Sequence, residues 1–200
     1  MIEVRNVYKS FNGKEVLKDI SFTFEAGKTN LIIGQSGSGK TVLMKSVIGI
    51  HQVDRGQILY NGRDFTKMSN KEVSLLRQEI GMLFQGSALF DSMTVAENVR
   101  FPLEMFSNKS RKEWEKRVAF CLERVGLSHA ANLFPSEISG GMQKRAAIAR
   151  AIVLEPTYLF CDEPNSGLDP KTSLTIDQLI QEITRENNIT TVVNTHDMNS

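Results

Sequence analysis

The chain has 200 residues, 40% of them hydrophobic and 24% charged, which is enough to bury the core of one domain or of two small ones. Its 24 Lys and Arg residues almost balance its 23 Asp and Glu residues, so we expect no nucleic acid to be bound by bulk charge. The apolar stretches are far shorter than the roughly 20 residues of a membrane span and the N-terminus has no secretory signal, so we expect a cytosolic chain that does not cross a bilayer by itself.

The first half of the chain alternates strands with helices. Apolar residues at alternate positions, with a turn at Asn12-Gly13, predict an antiparallel β part at the N-terminus. Residues 41–50 have the apolar spacing of a helix, and Ser69, with Glu72 in capping-box position, begins a second one. The predicted strands in this half are residues 2–7, 16–24, 29–33, 57–60 and 80–84.

Helix dominates the middle of the chain, from about residue 91 to residue 133. After Pro135 an alanine-rich helix begins near Ser139, since alanine has the highest helix propensity. Residues 111–125 form another helix with an apolar stripe. The residues on this stripe are Trp114, Val118, Cys121, Leu122 and Val125.

Three more elements follow: a strand at 158–161, a helix at Pro170–Glu186 and a β-branched strand at 190–194. Strands that alternate with helices predict an α/β fold with a mostly parallel sheet and helices on both faces. Cys121 and Cys161 form no CxxC pair, so we expect reduced, buried thiols and no structural metal.

A glycine-rich loop lies between the strand at 29–33 and the next helix. Residues 34–41 read GQSGSGKT and match the phosphate-loop pattern GxxxxGK[ST] in its strand-loop-helix context. In that motif backbone N–H groups and the helix N-terminus cradle phosphates, Lys40 reaches the β- and γ-phosphates, and the Thr41 hydroxyl ligates Mg²⁺. A plain glycine-rich turn is the alternative. The residues expected to bind ATP here are Gly34, Gln35, Ser36, Gly37, Ser38, Gly39, Lys40, Thr41 and Val42.

Two adjacent carboxylates follow the apolar strand at 158–161. Because neighbouring strand residues point to opposite faces, we expect different tasks for Asp162 and Glu163. Asp162 is expected to hold Mg²⁺ beside the phosphate loop, and Glu163 to orient or deprotonate the attacking water. A strand that runs into an acidic turn is the alternative, and it is weakened by the phosphate loop in the same chain.

A third motif distinguishes among the enzymes that use a phosphate loop. Residues 138–143, ISGGMQ, open the alanine-rich helix and, together with the two motifs above, resemble the ATP-binding cassette (ABC) family, whose signature reads LSGGQ. Ile138 and Met142 replace its first and last positions. The resemblance covers essentially the whole chain and implies a P-loop NTPase with one ABC nucleotide-binding domain, residues 1–200. Residues about 1–90 and 155–200 would form its RecA-like core with the antiparallel β part, and about 91–154 its helical subdomain.

The resemblance assigns further roles. Gln85 matches the Q-loop glutamine, which takes part in catalysis and contacts Mg²⁺, His196 the catalytic switch histidine, and Phe11 the aromatic that stacks on adenine. Tyr8 lies close enough along the chain to be the stacking residue instead, and His51 is interpreted as solvated. The D-loop consists of Ser166, Gly167, Leu168 and Asp169, preceded by Asn165 where a threonine is usual.

The signature segment is a second anion site at a helix N-terminus. Its residues are Ser139, Gly140, Gly141 and Met142. In the ABC family this segment contacts the γ-phosphate held by another copy, so the resemblance implies a head-to-tail homodimer that sandwiches two ATP molecules with Mg²⁺. For Ser-Gly-Gly taken alone, an ordinary helix N-cap is the better explanation.

Residues 82–99 and the SGGM form of the signature look like the Mla/Mkl branch of the family, whose ATPases pair with Mce-associated permeases and move phospholipids or other lipids. This implies an integral membrane permease and an Mce-type substrate-binding protein as partners, and a peripheral location on the cytoplasmic side of the bacterial inner membrane. The ATPases of amino-acid and other small-solute importers share the general sequence pattern of this chain, and they remain the alternative. The substrate and the direction of transport depend on other subunits.

Two rival functions carry less weight. A soluble ABC ATPase acting on DNA or ribosomes would need long coiled coils or tandem cassettes, whereas this chain holds one cassette. A non-hydrolysing nucleotide switch does not need both Glu163 and His196. Cassettes of this family continue past the switch histidine with further strand and helix, so we expect that this chain is truncated at its C-terminal end.

Overall fold

Two four-stranded sheets organise residues 1–35 and 37–195, which the computed structural model describes. The strands are β1 (Ile2–Phe11), β2 (Lys14–Phe24), β3 (Thr29–Ile33), β4 (Arg55–Tyr60), β5 (Arg63–Asp64), β6 (Ile80–Leu83), β7 (Tyr158–Asp162) and β8 (Thr190–Thr195). The α-helices are α1 (Lys40–Val47), α2 (Asn70–Gln78), α3 (Val95–Phe106), α4 (Arg111–Arg124), α5 (Gly140–Ile152) and α6 (Pro170–Glu186). Single turns of 3₁₀ helix lie at Phe65–Lys67, Ser128–Ala130 and Pro135–Glu137.

The first sheet is antiparallel and has the strand order β2-β1-β4-β5. Asn12 and Gly13, between β1 and β2, have φ angles of 49° and 79°, as a two-residue hairpin turn requires. The register of the two strands shifts near Asn6 and Asp19, which also have positive φ, and this shift brings Leu17 into the core. The predicted antiparallel β part at the N-terminus is confirmed.

The second sheet is parallel and has the strand order β3-β8-β7-β6. Its central strand β7 is buried on both faces, with Tyr158 and Phe160 in one hydrophobic cluster and Leu159 and Cys161 in the other. The predicted mostly parallel sheet is confirmed. Because the carboxyl ends of parallel strands share one edge, the segments that follow β3 and β7 begin there, beside the last described residues of β8.

Side chains cap most helices at the positions that the sequence indicates. Ser69 and Glu72 form the predicted capping box of α2, and α3 and α4 begin with the same exchange of hydrogen bonds. Helix α1 ends at Val47, before the predicted residue 50. The reason is Gly49, whose φ of 74° lies in the left-handed region that ends helices.

The helices divide between two hydrophobic clusters. Helices α3, α4, α5 and α6 pack with one face of the parallel sheet, and α1 packs between its other face and the antiparallel sheet. Cys121 and Cys161 are free and buried, as predicted. Burial raises the pKa of Cys121 to about 11 and of Cys161 to about 12, so both thiols stay protonated at neutral pH. Within the described ranges, no helix has the length and apolar character of a membrane span.

Candidate active site

The loop between β3 and α1 closes around the side chain of Lys40. The Lys40 Nζ donates hydrogen bonds to the carbonyl oxygens of Gly34, at 2.6 Å, and Gln35, at 3.0 Å. Gly39 has a φ of 95°, and a Cβ atom there would lie 3.2 Å from Val16 Cγ1, so this position requires glycine. The first two residues of the predicted phosphate loop thus contact a buried cation.

The N-terminus of α1 is open toward the same loop. Its N-cap, Gly39, provides no side-chain hydrogen bond, and the first turn contains no acidic residue. The first N–H groups of a helix lack intrahelical partners, and the helix dipole adds about half a positive charge there. This arrangement suits an anionic ligand such as a phosphate group.

Two of the three predicted metal ligands, Thr41 and Asp162, flank one amide, and the third, Gln85, contacts Glu163. Asp162 ends β7, Thr41 lies in the first turn of α1, and Asn194 lies near the end of β8. The Asn194 Nδ2 donates to Asp162 Oδ1 at 2.6 Å and to Thr41 Oγ1 at 3.3 Å. A carboxylate and a hydroxyl are hard oxygen donors of the kind that Mg²⁺ prefers beside substrate phosphates, so the residues fit this ion.

Glu163 belongs to a different set of contacts. Its φ of 47° takes it out of the β7 pleat, so a backbone turn, and not strand alternation, separates it from Asp162. Its N–H donates to the carbonyl oxygen of Asn194 at 2.9 Å. The Gln85 Nε2 donates to Glu163 Oε2 at 3.1 Å and to Ser166 Oγ at 3.4 Å. The structure therefore brings together the predicted base, the Q-loop glutamine and the first D-loop residue.

Hydrogen bonds connect both ends of the D-loop segment to helix α6. The Asn165 Nδ2 donates to both carboxylate oxygens of Asp177, at 2.9 and 3.0 Å. Asp169 is the N-cap of α6 and accepts from the N–H groups of Lys171 and Thr172, both at 3.1 Å. The Thr172 hydroxyl also holds the pKa of Asp169 below its usual value. Asp169 thus has a capping role, which its Asp-Pro sequence indicates.

The signature segment packs on the D-loop and α6 of its own chain. The Ser139 Oγ accepts from the Met142 N–H at 3.3 Å and caps α5. A Cβ atom on Gly141 would lie 2.7 Å from a Thr172 methyl carbon, and one on Gly140 would lie 3.9 Å from Leu168. Ser139 and Gly140 are exposed. A hydroxyl that accepts one hydrogen bond still has a proton to donate, so Ser139 can meet an anion from outside.

Two cations on α5 contact the Q-loop and were not found by sequence reasoning. Lys144 is 4% exposed, and its Nζ donates to the carbonyl oxygen of Gln85. Burial lowers the pKa of Lys144, against the opposing effect of nearby acids. Arg150 donates to the carbonyl oxygens of Ala88, at 2.6 Å, and Ser87, at 2.7 Å. Basic residues on the buried face of an alanine-rich helix are the sequence signal for such contacts.

The candidate adenine platform lies at the end of β1. Phe11 is 38% exposed, whereas the ring of Tyr8 is covered by the Arg55 guanidinium at 4.3 Å. His51, interpreted from the sequence as solvated, instead packs edge-on against Phe11, with ring centroids 5.2 Å apart. The greater exposure of Phe11 favours it over Tyr8 as the stacking residue, although the Lys9 Nζ lies 5.2 Å from the centre of its ring. The predicted positions Ser36 and His196 lie outside the described residues.

Comparisons with known proteins relate the chain to one family and to several of its members. The profile of the family described as "ABC transporter" matches residues 17–166. Over 198 residues, 99% of this chain, the identity is 42% with "Probable ribonucleotide transport ATP-binding protein mkl" of Mycobacterium leprae and 41% with "Methionine import ATP-binding protein MetN" of Clostridioides difficile. These matches cover 57% and 61% of the two proteins, so the chain spans little more than half of their length.

Solved structures of the same family are similar to this chain in fold. A dimeric bacterial ABC transporter cassette is similar, with a TM-score of 0.89 and 33% identity over 100% of this chain and 89% of that cassette. A dimeric post-hydrolysis state of the same cassette, bound to ADP and Pi, has a TM-score of 0.88. The fold class expected from the sequence is confirmed.

Proposed function

Because the chain belongs to the ABC transporter family, we propose that it is the ATP-hydrolysing subunit of a membrane transporter. One observation carries this proposal: Thr41, the last residue of the phosphate-loop motif, lies at the same edge of the parallel sheet as Asp162, Glu163 and Gln85. A fold alone does not define an activity, whereas this set of side chains provides what phosphoryl transfer to water requires.

Lys40 and the open N-terminus of α1 bind the β- and γ-phosphates of ATP in this proposal. Thr41 and Asp162 would hold Mg²⁺, which neutralises phosphate charge when bound. Lys40 now donates to loop carbonyls, and these two hydrogen bonds are exchanged for stronger ones to phosphate when the nucleotide binds.

Glu163 accepts the proton of the attacking water. A base must lie within hydrogen-bond reach of the proton that it takes, so the orientation of the Glu163 carboxylate matters. The Gln85 amide donates a hydrogen bond to Glu163 Oε2 and orients this carboxylate. His196 contacts the γ-phosphate and Phe11 stacks on adenine. These assignments rest on the family motifs and on the exposure and contacts of Phe11.

A second copy completes the site in this proposal. The exposed signature residues Ser139 and Gly140 contact the γ-phosphate held by the partner, and the D-loop lies beside them. The dimeric state of the similar bacterial cassette supports this arrangement. Closure on ATP and opening after hydrolysis would then move an integral membrane permease, and the protein works at the cytoplasmic side of the inner membrane.

The substitution Glu163→Gln tests the proposal. It removes the base and leaves the phosphate loop intact, so we expect ATP binding to persist, turnover to fall by roughly 100-fold or more, and an ATP-bound dimer to accumulate. Steady-state ATPase assays and size-exclusion chromatography measure the two effects. Glu186→Gln, an exposed ion-pair residue at the end of α6, is the matched control with unchanged turnover. Comparable turnover in the Glu163 variant would refute the assignment of the base.

Within this function, we propose lipid as the transported substrate, with an Mce-type binding protein as a further partner. The SGGM signature and residues 82–99 support this choice. A small-solute importer is the second candidate, because the relatives at 42% and 41% identity are named for ribonucleotide transport and methionine import.

The complex purified from membranes distinguishes these candidates. We expect a co-purifying integral membrane protein and ATP-dependent transfer of labelled phospholipid between vesicles, which the Glu163→Gln complex does not perform. Stimulation of the ATPase by methionine without lipid transfer would favour the importer. Recovery of ribosomes or DNA in place of a membrane protein would favour a soluble ABC ATPase.

A further inference from the structure

Asn194 is a fully buried polar residue at the centre of the parallel sheet. It lies on β8, between β3 and β7, and its side chain is 0% exposed. Its neighbours Val192 and Val193 on the same strand are packed in the hydrophobic clusters. A buried amide in such surroundings is costly unless its polar atoms have partners, so its contacts require an explanation.

The orientation of the amide follows from chemistry. The atom that lies 2.6 Å from Asp162 Oδ1 must be a donor, because a carboxylate oxygen only accepts hydrogen bonds. The Nδ2 therefore points at Asp162, and its second contact, at 3.3 Å, is Thr41 Oγ1. One amide nitrogen thus contacts a residue of β7 and a residue of α1, which are two of the three predicted metal ligands.

The opposite atom of the same amide has no hydrogen-bond partner among the described residues. Asn194 Oδ1 is buried and makes no hydrogen bond with any residue in the described part of the chain. The main chain of Asn194 adds a third link, because its carbonyl oxygen accepts from the Glu163 N–H at 2.9 Å. Any residue at this position would make the main-chain hydrogen bond, whereas the two hydrogen bonds of Nδ2 depend on the amide side chain.

We propose that Asn194 is a positioning residue for the magnesium ion of MgATP. It holds the Asp162 carboxylate and the Thr41 hydroxyl against one another and leaves Asp162 Oδ2 and the second lone pair of Thr41 Oγ1 for the ion. Its own Oδ1 accepts a hydrogen bond from an ordered water at the same site. This proposal rests on the proposed function, since both concern one nucleotide site.

The expected effect follows from the general behaviour of residues that orient metal ligands. Without its donor, the Asp162 carboxylate rotates more freely, and the ligands lose the arrangement that matches the ion. Substituting such a residue lowers metal affinity by roughly 10- to 100-fold. Nucleotide contacts that do not involve the metal, such as those of Lys40, are unaffected.

The test is Asn194→Leu, which keeps the shape of the side chain and removes both polar atoms. ATP affinity is measured by calorimetry in excess Mg²⁺ and in excess EDTA, for the wild type and the variant. We expect the variant to lose most of the affinity gained from Mg²⁺, by roughly tenfold or more, and to keep the wild-type affinity in EDTA. Val192→Ala, a core substitution on the same strand, is the control that lowers the unfolding temperature without changing the Mg²⁺ dependence.

Three results would overturn the inference. The variant keeps the full gain from Mg²⁺, or it loses affinity equally in EDTA, or Val192→Ala changes the Mg²⁺ dependence as much as Asn194→Leu does. A wild-type protein that binds ATP in neither buffer would refute the proposed function itself, and this outcome is distinct from the other three.

Discussion

Helices α1 and α5 both begin in glycine-rich segments, yet their N-termini are satisfied in different ways. The N-cap of α1 is Gly39, which has a left-handed backbone and gives no side-chain hydrogen bond within the described ranges. The N-cap of α5 is Ser139, whose Oγ accepts from the Met142 N–H at 3.3 Å. Lys40, at the start of α1, is 9% exposed, whereas Gly140, at the start of α5, lies on the surface.

The difference shows which site is assembled within one chain. Around α1, Thr41, Asp162 and Asn194 come from separate elements and already contact one another. The signature segment contacts the D-loop and α6, and its outer face is exposed. Under the proposed function, the first segment binds the nucleotide and the second acts when another copy approaches.

The largest expected effect separates these two segments. Lys40→Ala removes the buried cation, so ATP affinity should fall by roughly 10- to 100-fold, as for loss of a charge-assisted hydrogen bond. Ser139→Ala should leave ATP binding by the monomer unchanged and abolish ATP-dependent dimerisation and turnover. The Ser139 substitution should also lower the free energy of unfolding by about 1 kcal/mol, because the helix cap is lost.

Calorimetry measures the ATP affinity of both variants, and analytical ultracentrifugation measures their ATP-dependent dimerisation. Weaker ATP binding by the Ser139 variant monomer would contradict the separation.

An intermediate effect is expected where α5 contacts the Q-loop, at Lys144 and Gln85. Lys144→Met leaves the Gln85 carbonyl without its donor, so the Q-loop is held less firmly and kcat should fall roughly tenfold with KM nearly unchanged. Steady-state kinetics measure the two constants. The control is Lys116→Met, an exposed lysine on α4. An unchanged kcat in a folded Lys144 variant would show that the hydrogen bond between Lys144 and Gln85 has only a structural role.

The last expected effect is on stability, and it concerns the packing of the signature segment on α6. Gly141→Ala places a Cβ atom 2.7 Å from a Thr172 methyl carbon, and Thr172 is held by Asp169, so we expect a loss of about 1–3 kcal/mol in the free energy of unfolding. Gly140→Ala meets its nearest atom at 3.9 Å and should be neutral or slightly stabilising. Urea denaturation measures both variants. Equal free energies of unfolding for the two variants would mean that the packing of Gly141 against Thr172 is not specific.

The local features of the molecule are predictable from the sequence. They are patterns of neighbouring residues: the phosphate loop, the capping box at Ser69 and the paired carboxylates after β7. The alternation of strands and helices along the chain indicates the parallel sheet. The early end of α1 and the turn at Glu163 were missed, because both depend on single left-handed residues, Gly49 and Glu163 itself.

The sequence alone determined the chemistry that this protein carries: a phosphate loop, two acids and a signature segment, each recognisable from residue types at fixed spacing. Only the tertiary structure decided how these groups are connected. Asn194 contacts Thr41 and Asp162, and Lys144 contacts Gln85, across separations of 32 to 153 residues. Such contacts have no spacing rule, because they depend on the order of strands in the sheet and on the packing of α5 against it.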